Sequence, residues 1–401
     1  MPGNSGTSVV FQPNLIVQSQ SVQAIQSYTL PPDKLILAVN YAHARHVLYF
    51  SSIALSAFVL LAILYFRVAP RLRKRGGWAV AAGVYLITAI FELPTDVMYH
   101  ALSLKYGISI EGWPAWLLDW LKSQAVALPL AILLLLGFYF VLRRSPTRWW
   151  LYVWIACIPL SIFGVWIEPF VLEPMFNRFE PLAATHPDLI PPIETILARA
   201  GVVIPKERLF EMEASAKTNA LNAYVSGFGS SKRVVLYDTI IKKELQPALL
   251  TTFGHELGHY VLGHIPKSIA FGTVMLFMGL FIAYQAITMF VRRWGPKFDI
   301  PSVSDWASLP AFGLLLLLLS FVAEPVVNAY SRNQEHEADV YSLQVTDGIV
   351  PDNGQAAAAA FQIEGETDLD PPHPSPFIVF WLYTHPPTSD RLQLALEWRG
   401  H

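Results

Sequence analysis

Long apolar runs alternate with polar stretches along most of this chain. A helix needs about 20 mostly apolar residues to cross the hydrocarbon core of a bilayer. Runs of roughly that length occur six times, at residues 47–66, 78–98, 124–142, 150–171, 268–291 and 307–327. We therefore predict a mainly α-helical, polytopic membrane protein with six transmembrane helices.

The chain begins with a polar segment over residues 1–44. It is poor in charge, rich in Gln and Ser, and lacks the basic and apolar regions of a signal peptide. We expect a poorly ordered N-terminal leader, or alternatively an extension that packs on the protein surface. The first four transmembrane helices then occupy residues 45–171.

Two longer polar segments flank the last two apolar runs, which lie within residues 268–327. The first segment, residues 172–267, has short strand-like stretches at 208–213, 222–226 and 232–237 and helical periodicity over 246–262. The second segment, residues 328–401, is polar and rich in proline. We expect the two segments to fold together as one α+β domain with a small β-sheet.

Composition and loop charge add to this picture. Of the 401 residues, 53% are hydrophobic and 14% are charged, against about 25% charged in soluble domains. The net charge of −2 gives no indication of a nucleic-acid partner. Basic residues concentrate in the loops after the first, third and fifth apolar runs, for example Arg73, Arg143 and Arg292. The positive-inside rule makes these loops cytoplasmic and puts the α+β domain on the extracytoplasmic side.

Residues 255–259 read His-Glu-Leu-Gly-His, within the helix predicted over 246–262. His255 and His259 are four residues apart and share one helical face, so both can bind one tetrahedral Zn²⁺. Glu256 can take a proton from a water that the ion activates. The motif therefore predicts a domain that hydrolyses peptide bonds with zinc.

A third protein ligand is expected downstream. Glu335, His336 and Glu337 are all candidates, and because they point about 100° apart around a helix, only one can face the metal. Asp339, one turn after Glu335, can support a ligand histidine through a hydrogen bond. Spacing alone does not choose among the three candidates.

Further candidates surround this site. His385 and Arg391 can donate hydrogen bonds to the oxyanion of the tetrahedral intermediate. The exposed edge of the strand over 222–226 can bind an extended substrate as an added strand.

Four motifs in the second half of the chain are similar to those of a known family. They are N-A-Y-x-x-G-F at 222–228, H-E-L-G-H-x-x-x-G-H at 255–264, S-R-x-x-E-x-x-A-D at 331–339 and H-P-P-x-x-x-R-L at 385–392. Together they resemble the type I CAAX prenyl proteases, which are integral-membrane zinc endopeptidases, and more distantly the HtpX-like membrane peptidases.

The resemblance implies a role for each matching residue. It makes His255, His259 and Glu335 the ligands of one Zn²⁺ and Glu256 the catalytic base. It makes Asp339 a catalytic or supporting acid, and His385 and Arg391 active-site residues. The substrate-binding strand would contain Asn222, Ala223 and Tyr224.

The resemblance also implies a zincin-type domain and a ring of membrane helices around a chamber. Eukaryotic members have seven such helices, and this chain lacks an obvious counterpart of the first. Their zinc site is cytosolic, opposite to the side that the loop charges predict here. The implied partners are the lipid bilayer and a peptide or protein substrate, prenylated or membrane-associated.

Two other functions fit the same pattern. An HtpX-like quality-control protease would use the same residues on misfolded membrane proteins. A non-catalytic membrane scaffold could keep a vestigial zinc site, although it would have no chemical need for Glu256.

Overall fold

The computed structural model describes residues 24–227 and 231–400. Within them the chain forms a small sheet and the following α-helices: α1 Pro32–Tyr65, α2 Val68–Leu72, α3 Gly77–Lys105, α4 Trp113–Arg144, α5 Trp149–Phe176, α6 Leu182–Thr185, α7 Ile190–Arg199, α8 Asp238–Lys243, α9 Gln246–Val261, α10 His264–Phe298, α11 Leu309–Thr346, α12 Asn353–Asp368, α13 Pro376–Leu382 and α14 Thr388–Glu397.

Six of these helices are long and apolar enough to span a membrane, which confirms the six predicted runs. They are α1, α3, α4, α5, α10 and α11, and each packs against the next, with α11 returning to α1. The spans therefore form a closed ring. In no span is more than 39% of the most apolar window buried within the protein. That low burial is expected of helices that face lipid outside the ring and an internal space inside it.

The first helix begins much earlier than the first apolar run. It starts at Pro32, so residues 32–44, which we assigned to the leader, are helical. The reason is packing against a distant segment: Ala38 and Tyr41 are buried against Leu369. Residues 24–31 run as an extension that packs on α12, where the buried Tyr28 lies. Residues 1–23 of the predicted leader are outside the described residues.

At one end the interior of the ring is filled with aromatic side chains. Tyr139 of α4 stacks on Trp306, with ring centroids 3.9 Å apart, and contacts Phe312 of α11 edge-on. Because α4 and α11 are not neighbours in the ring, these contacts cross its interior. Arg73 forms ion pairs with Asp299 and Asp305, which join two of the basic loops. We call this part of the molecule the closed end.

The opposite end carries the α+β domain. Its four-stranded sheet has the order β1-β2-β4-β3, with β1 Phe179–Pro181, β2 Leu209–Met212, β3 Ala223–Ser226 and β4 Arg233–Tyr237. Strands β2 and β4 pair in parallel, and the other two pairs are antiparallel. The three predicted strands are present, β1 was not predicted, and β3 lies at an edge of the sheet.

Two glycines bring α9 close to α11. A β-carbon at Gly258 would lie 3.1 Å from the Cα of Ala338, and one at Gly254 would lie 3.0 Å from Ser342 Oγ. The absence of side chains at both positions allows the two helices to approach at the level of the His-Glu-Leu-Gly-His motif. The 38-residue helix α11 continues from the membrane ring into this contact, so the predicted boundary at residues 327 and 328 does not interrupt it.

Candidate metal centre

Three side chains from α9 and α11 converge where the two helices meet. The Nε2 atoms of His255 and His259 are 3.1 Å apart. Glu335 Oε2 lies 3.2 Å from Nε2 of His255 and 3.5 Å from Nε2 of His259. One nitrogen or oxygen from each residue lies within 4.8 Å of the others, which makes this group a candidate metal site.

The geometry of this group fits a metal ion. Ligands about 2.0–2.1 Å from a tetrahedral Zn²⁺ lie roughly 3.3 Å from one another, close to the three distances here. Glu335 Oε2 is buried, and its polar neighbours within the described residues are the Nε2 atoms of His255, His259 and His385 at 3.2–3.5 Å. A bound cation would satisfy this oxygen.

The electrostatics of the site favour positive charge. Burial lowers the pKa of His255, but hydrogen bonds to Asp339 and Glu335 outweigh it and raise the pKa to about 10. A divalent cation would supply the charge that these two carboxylates favour at this position.

The structure distinguishes among the three candidates for the third ligand. Glu335 is buried and faces the two histidines, whereas His336 is exposed. Glu337 Oε2 instead lies 3.3 Å from His264 Nε2. Among the three, Glu335 alone belongs to the candidate metal group formed by the described residues.

Asp339 and Arg391 fix the orientation of His255. Asp339, which is only 2% exposed, lies 2.8 Å from His255 Nδ1 through its Oδ1. Arg391 donates to both oxygens of that carboxylate, from Nη2 at 2.7 Å and from Nε at 2.9 Å. This arrangement leaves Nε2 of His255 directed at the candidate metal position. Arg391 was predicted to donate to the oxyanion, but its guanidinium is engaged with Asp339 in this structure.

A second chain of contacts holds the side chain of His259. His264 Nδ1 lies 2.8 Å from His259 Nδ1, and His264 Nε2 contacts Glu337. The side chain of Gln334 donates to the backbone carbonyl of His264. Each candidate ligand histidine is therefore held through its Nδ1, which is typical of histidines that bind metal through Nε2.

Glu256 and His385 lie beside the three donors. Burial raises the pKa of Glu256, which makes its carboxylate a stronger base than an exposed glutamate. His385 is half-exposed, and its Nε2 lies 3.2 Å from Glu335 Oε2.

Two cavities meet at this centre, and β3 connects them. One, of about 730 Å³, extends between α1 and α12, and the other, of about 900 Å³, extends between α5 and α10. Asn222, Ala223, His255, Glu256 and His385 line both cavities. The hydroxyl of Tyr224, the third residue of the predicted substrate strand, donates to Glu173 of α5 at 2.8 Å.

Sequence reasoning missed several groups near the site. Glu364, Asp368 and Asp370 line the α1/α12 cavity, and Arg233 forms a buried ion pair with Glu173. One local signal pointed to the acidic residues: Phe361, Glu364 and Asp368 share one face of an alanine-rich helix.

Comparison with known proteins agrees with this geometry. Residues 179–399 match the model of peptidase family M48, and residues 16–178 match that of the CAAX prenyl protease N-terminal region with five membrane helices. An uncharacterised metalloprotease of Bacillus subtilis, YhfN, is 32% identical over 389 residues, which cover 94% of this chain and 88% of the relative. CAAX prenyl protease 1 of Saccharomyces cerevisiae is 26% identical over 321 residues, with 76% of this chain and 69% of that protein covered.

A solved structure extends the similarity to the fold. The crystal structure of S. mikatae Ste24p superposes with a TM-score of 0.75 at 21% identity, covering 93% of each chain. These similarities span both the membrane ring and the α+β domain, and they give no better support to the HtpX-like alternative. With the M48 match covering more than half of its residues, the chain belongs to peptidase family M48 and is an integral-membrane metalloprotease.

Proposed function

We propose that this protein is a zinc endopeptidase that binds one Zn²⁺ per chain through His255, His259 and Glu335. The observation that carries the proposal is the convergence of their three donor atoms, which lie 3.1–3.5 Å from one another, with Glu335 Oε2 buried among them. Two imidazoles and one carboxylate are a ligand set of catalytic zinc sites, where a fourth position stays open.

The reaction assigns a task to each surrounding residue. When bound, the ion polarises the scissile carbonyl and makes water more acidic. Glu256 accepts a proton from the attacking water and passes one to the leaving amine. His385 donates a hydrogen bond to the oxygen that becomes negative. Asp339 and Arg391 hold His255 in position.

The substrate binds, in this proposal, as an added strand on the free edge of β3. Added strands pair most stably when antiparallel. Strand β3 runs from the α1/α12 cavity, where Thr218 and Leu221 lie, toward the α5/α10 cavity, where Val225 and Gly227 lie. The N-terminal side of an antiparallel substrate therefore lies along the α5/α10 cavity and its C-terminal side along the α1/α12 cavity.

The lining of the α5/α10 cavity favours a lipid-modified substrate. Two spanning helices line it, and its apolar side chains include Ile158, Val165, Ile269 and Leu276. A prenyl group on the residue before the scissile bond would bury its hydrocarbon there, with a gain of about 0.8 kcal/mol per buried CH₂. We therefore propose that membrane-associated, prenylated polypeptides are the substrates.

A pair of matched peptides tests this proposal. Purified protein in detergent should contain about one zinc per chain, cleave a farnesylated peptide, and lose that activity to a chelator. The same peptide without the farnesyl group should be cleaved with a clearly lower kcat/KM. Equal rates for the two peptides would contradict prenyl recognition, and activity that survives complete zinc removal would contradict the zinc mechanism.

The loop charges support a proposal for sidedness. The loops after α1, α4 and α10 all lie at the closed end, opposite the α+β domain. By the positive-inside rule this domain faces the extracytoplasmic side. A Val203→Cys label site, 89% exposed in the α+β domain, tests this in a Cys157→Ala background. Labelling by a membrane-impermeant maleimide only after the cells are opened would contradict the proposal.

A further inference from the structure

The closed end carries a large excess of positive charge. Its three loops, residues 67–77, 143–149 and 292–306, contain 11 of the 28 Lys and Arg residues but only 2 of the 30 Asp and Glu residues. The rest of the chain has more acidic than basic residues. No step of the proposed peptidase mechanism uses the charge of these loops, so it requires a separate explanation.

Contacts between the loops join them into one surface. Arg67 donates from Nη2 to the backbone carbonyl of Lys297 at 3.0 Å, and Arg143 donates from Nε to that of Ser304 at 3.2 Å. Together with the ion pairs of Arg73, these hydrogen bonds hold the three loops side by side. We call the Lys and Arg side chains of the three loops the basic surface.

Most of the basic surface lacks acidic partners. Arg73 pairs with both acidic residues of the loops, Asp299 and Asp305. The other basic residues of the surface are all exposed, and none has an ionic partner within the described residues. They are Arg67, Arg71, Lys74, Arg75, Arg143, Arg144, Arg148, Arg292, Arg293 and Lys297. Like charges that share one surface repel one another, and bound anions would remove that cost.

The basic surface lies at the level of the lipid headgroups. Three of the apolar runs, those that end at residues 66, 142 and 291, are each followed directly by an arginine. Trp294 follows Arg293 directly and Trp78 follows Arg75 by three residues, and both indole side chains are exposed. Exposed Trp beside basic residues at the ends of spans is typical of the membrane–water interface.

Membrane topology alone does not explain this surface. The positive-inside rule depends on Lys and Arg, and acidic residues contribute little to it. The rule therefore does not require that acidic residues be scarce in these loops or that the basic side chains stay unpaired. Toward the α+β domain, by contrast, Lys122 of α4 and Lys217 both pair with Asp119. The unpaired state of the basic surface thus points to an external anion.

We propose that the basic surface binds the headgroups of anionic phospholipids from the adjacent leaflet. Basic side chains beside a span are attracted to anionic lipids, and a guanidinium group can bind a phosphate through two parallel hydrogen bonds. A free phosphate ion offers the same chemistry, but acyl chains hold the lipid phosphate at the depth of these arginines. The proposal is independent of the peptidase function and of the side on which the α+β domain lies.

Competition between two lipids tests the proposal. The full-length protein in a neutral detergent would receive equal concentrations of phosphatidylglycerol and phosphatidylcholine with the same acyl chains, and native mass spectrometry would count the lipids that it retains. Retained phosphatidylglycerol should exceed phosphatidylcholine about fivefold or more, the factor that one basic residue contributes near an anionic surface. The ratio should fall as the salt concentration rises from about 0.1 M to about 1 M, because screening shortens to about 3 Å.

A triple variant identifies the surface responsible. Arg71→Gln, Arg144→Gln and Arg293→Gln together remove one exposed charge from each loop, and the ratio of the two retained lipids should fall toward one. Arginine-to-lysine changes at the same three positions keep the charge and should keep the preference for phosphatidylglycerol.

A matched control separates the surface from net charge. Lys105→Gln, Lys206→Gln and Arg399→Gln together remove three exposed charges outside the basic surface. This control has the same net charge as the triple variant, and its lipid ratio should stay as in the wild type.

Other outcomes would overturn the inference. Equal retention of the two lipids by the wild type would contradict a preference for anionic headgroups. An equal loss of preference in the triple variant and in the matched control would show that net charge, and not the basic surface, selects the lipid. Displacement of phosphatidylglycerol by the same concentration of inorganic phosphate or of a glutamate-rich peptide would assign the surface to a soluble anion or an acidic partner.

Discussion

The two ends of the helix ring are built from different kinds of interaction. At the closed end, aromatic side chains such as Tyr139, Trp306 and Phe312 fill the interior, and Arg73 links two loops through ion pairs. At the other end, the interior holds two cavities, buried carboxylates and a cluster of histidines. Apolar packing stabilises the fold, whereas the buried polar groups are costly unless they bind something.

The fold is stabilised mainly at the closed end, and the candidate chemistry lies at the other end. Helix α11 runs through both ends: its first turns contribute Leu309 and Phe312 to the closed end, and its last turns contribute Glu335 and Asp339 to the metal centre. The closed end therefore holds one end of the helix whose other end presents the candidate ligand Glu335. Substitutions at the two ends should affect different properties.

The largest effect is expected at the metal centre. Arg391→Lys keeps the positive charge beside Asp339 but loses the two parallel hydrogen bonds that hold this carboxylate. Zinc affinity or kcat should fall about 10–100-fold, as is typical when a residue that supports a metal ligand is changed. Zinc titration and peptide kinetics would measure this. Wild-type values for both would show that the orientation of His255 does not depend on Arg391.

At the closed end the expected effect is on stability. A β-carbon at Gly77 would overlap the indole ring of Trp306, so Gly77→Val should destabilise the protein by about 1–3 kcal/mol. Zinc content and kcat of the folded fraction should be unchanged. Gly137→Ala is the control, because a β-carbon there meets no atom within 4 Å. A reduced kcat at full zinc content would show that the ends are coupled more directly than we describe.

The smallest effect is a pH dependence that belongs to the catalytic end. Asp368 has a pKa of about 8 in the fold against a usual 3.8, mainly because of burial. Between pH 4 and 8, roughly, the folded state holds this proton and the unfolded state does not, so the contribution to stability falls as the pH rises.

Asp368→Asn should therefore reduce the fall in melting temperature between pH 5 and pH 8. Gln362→Ala, a change on the same helix at a residue without an ionisable group, should keep the slope of the wild type. Identical slopes for Asp368→Asn and the wild type would contradict the protonated state of Asp368.

Much of the architecture was predictable because its signals are local. Six apolar runs gave the six spans, and short alternating stretches gave three of the four strands. His255 and His259 were predicted as ligands from their helical spacing and Glu335 from the family resemblance, and the three lie together as a candidate metal group. Strand β1 was not predictable, because three residues carry no periodic signal.

The remaining features depend on contacts between distant segments. The start of α1 at Pro32 reflects packing on Leu369, which hydropathy does not report. The continuity of α11 through residue 327 was missed because a change of polarity ends a membrane segment without ending a helix. The pairing of Arg391 with Asp339 required the three-dimensional arrangement of α11 and α14.

The most direct test of the metal centre is the Glu256→Gln variant, measured for zinc content and peptidase activity on one preparation. Glutamine keeps the shape of the side chain but cannot accept the proton of the attacking water. We predict about one zinc per chain, as in the wild type, and a kcat about 10²–10⁴-fold lower. Wild-type activity with zinc retained would contradict the assignment of Glu256 as the base and with it the proposed mechanism.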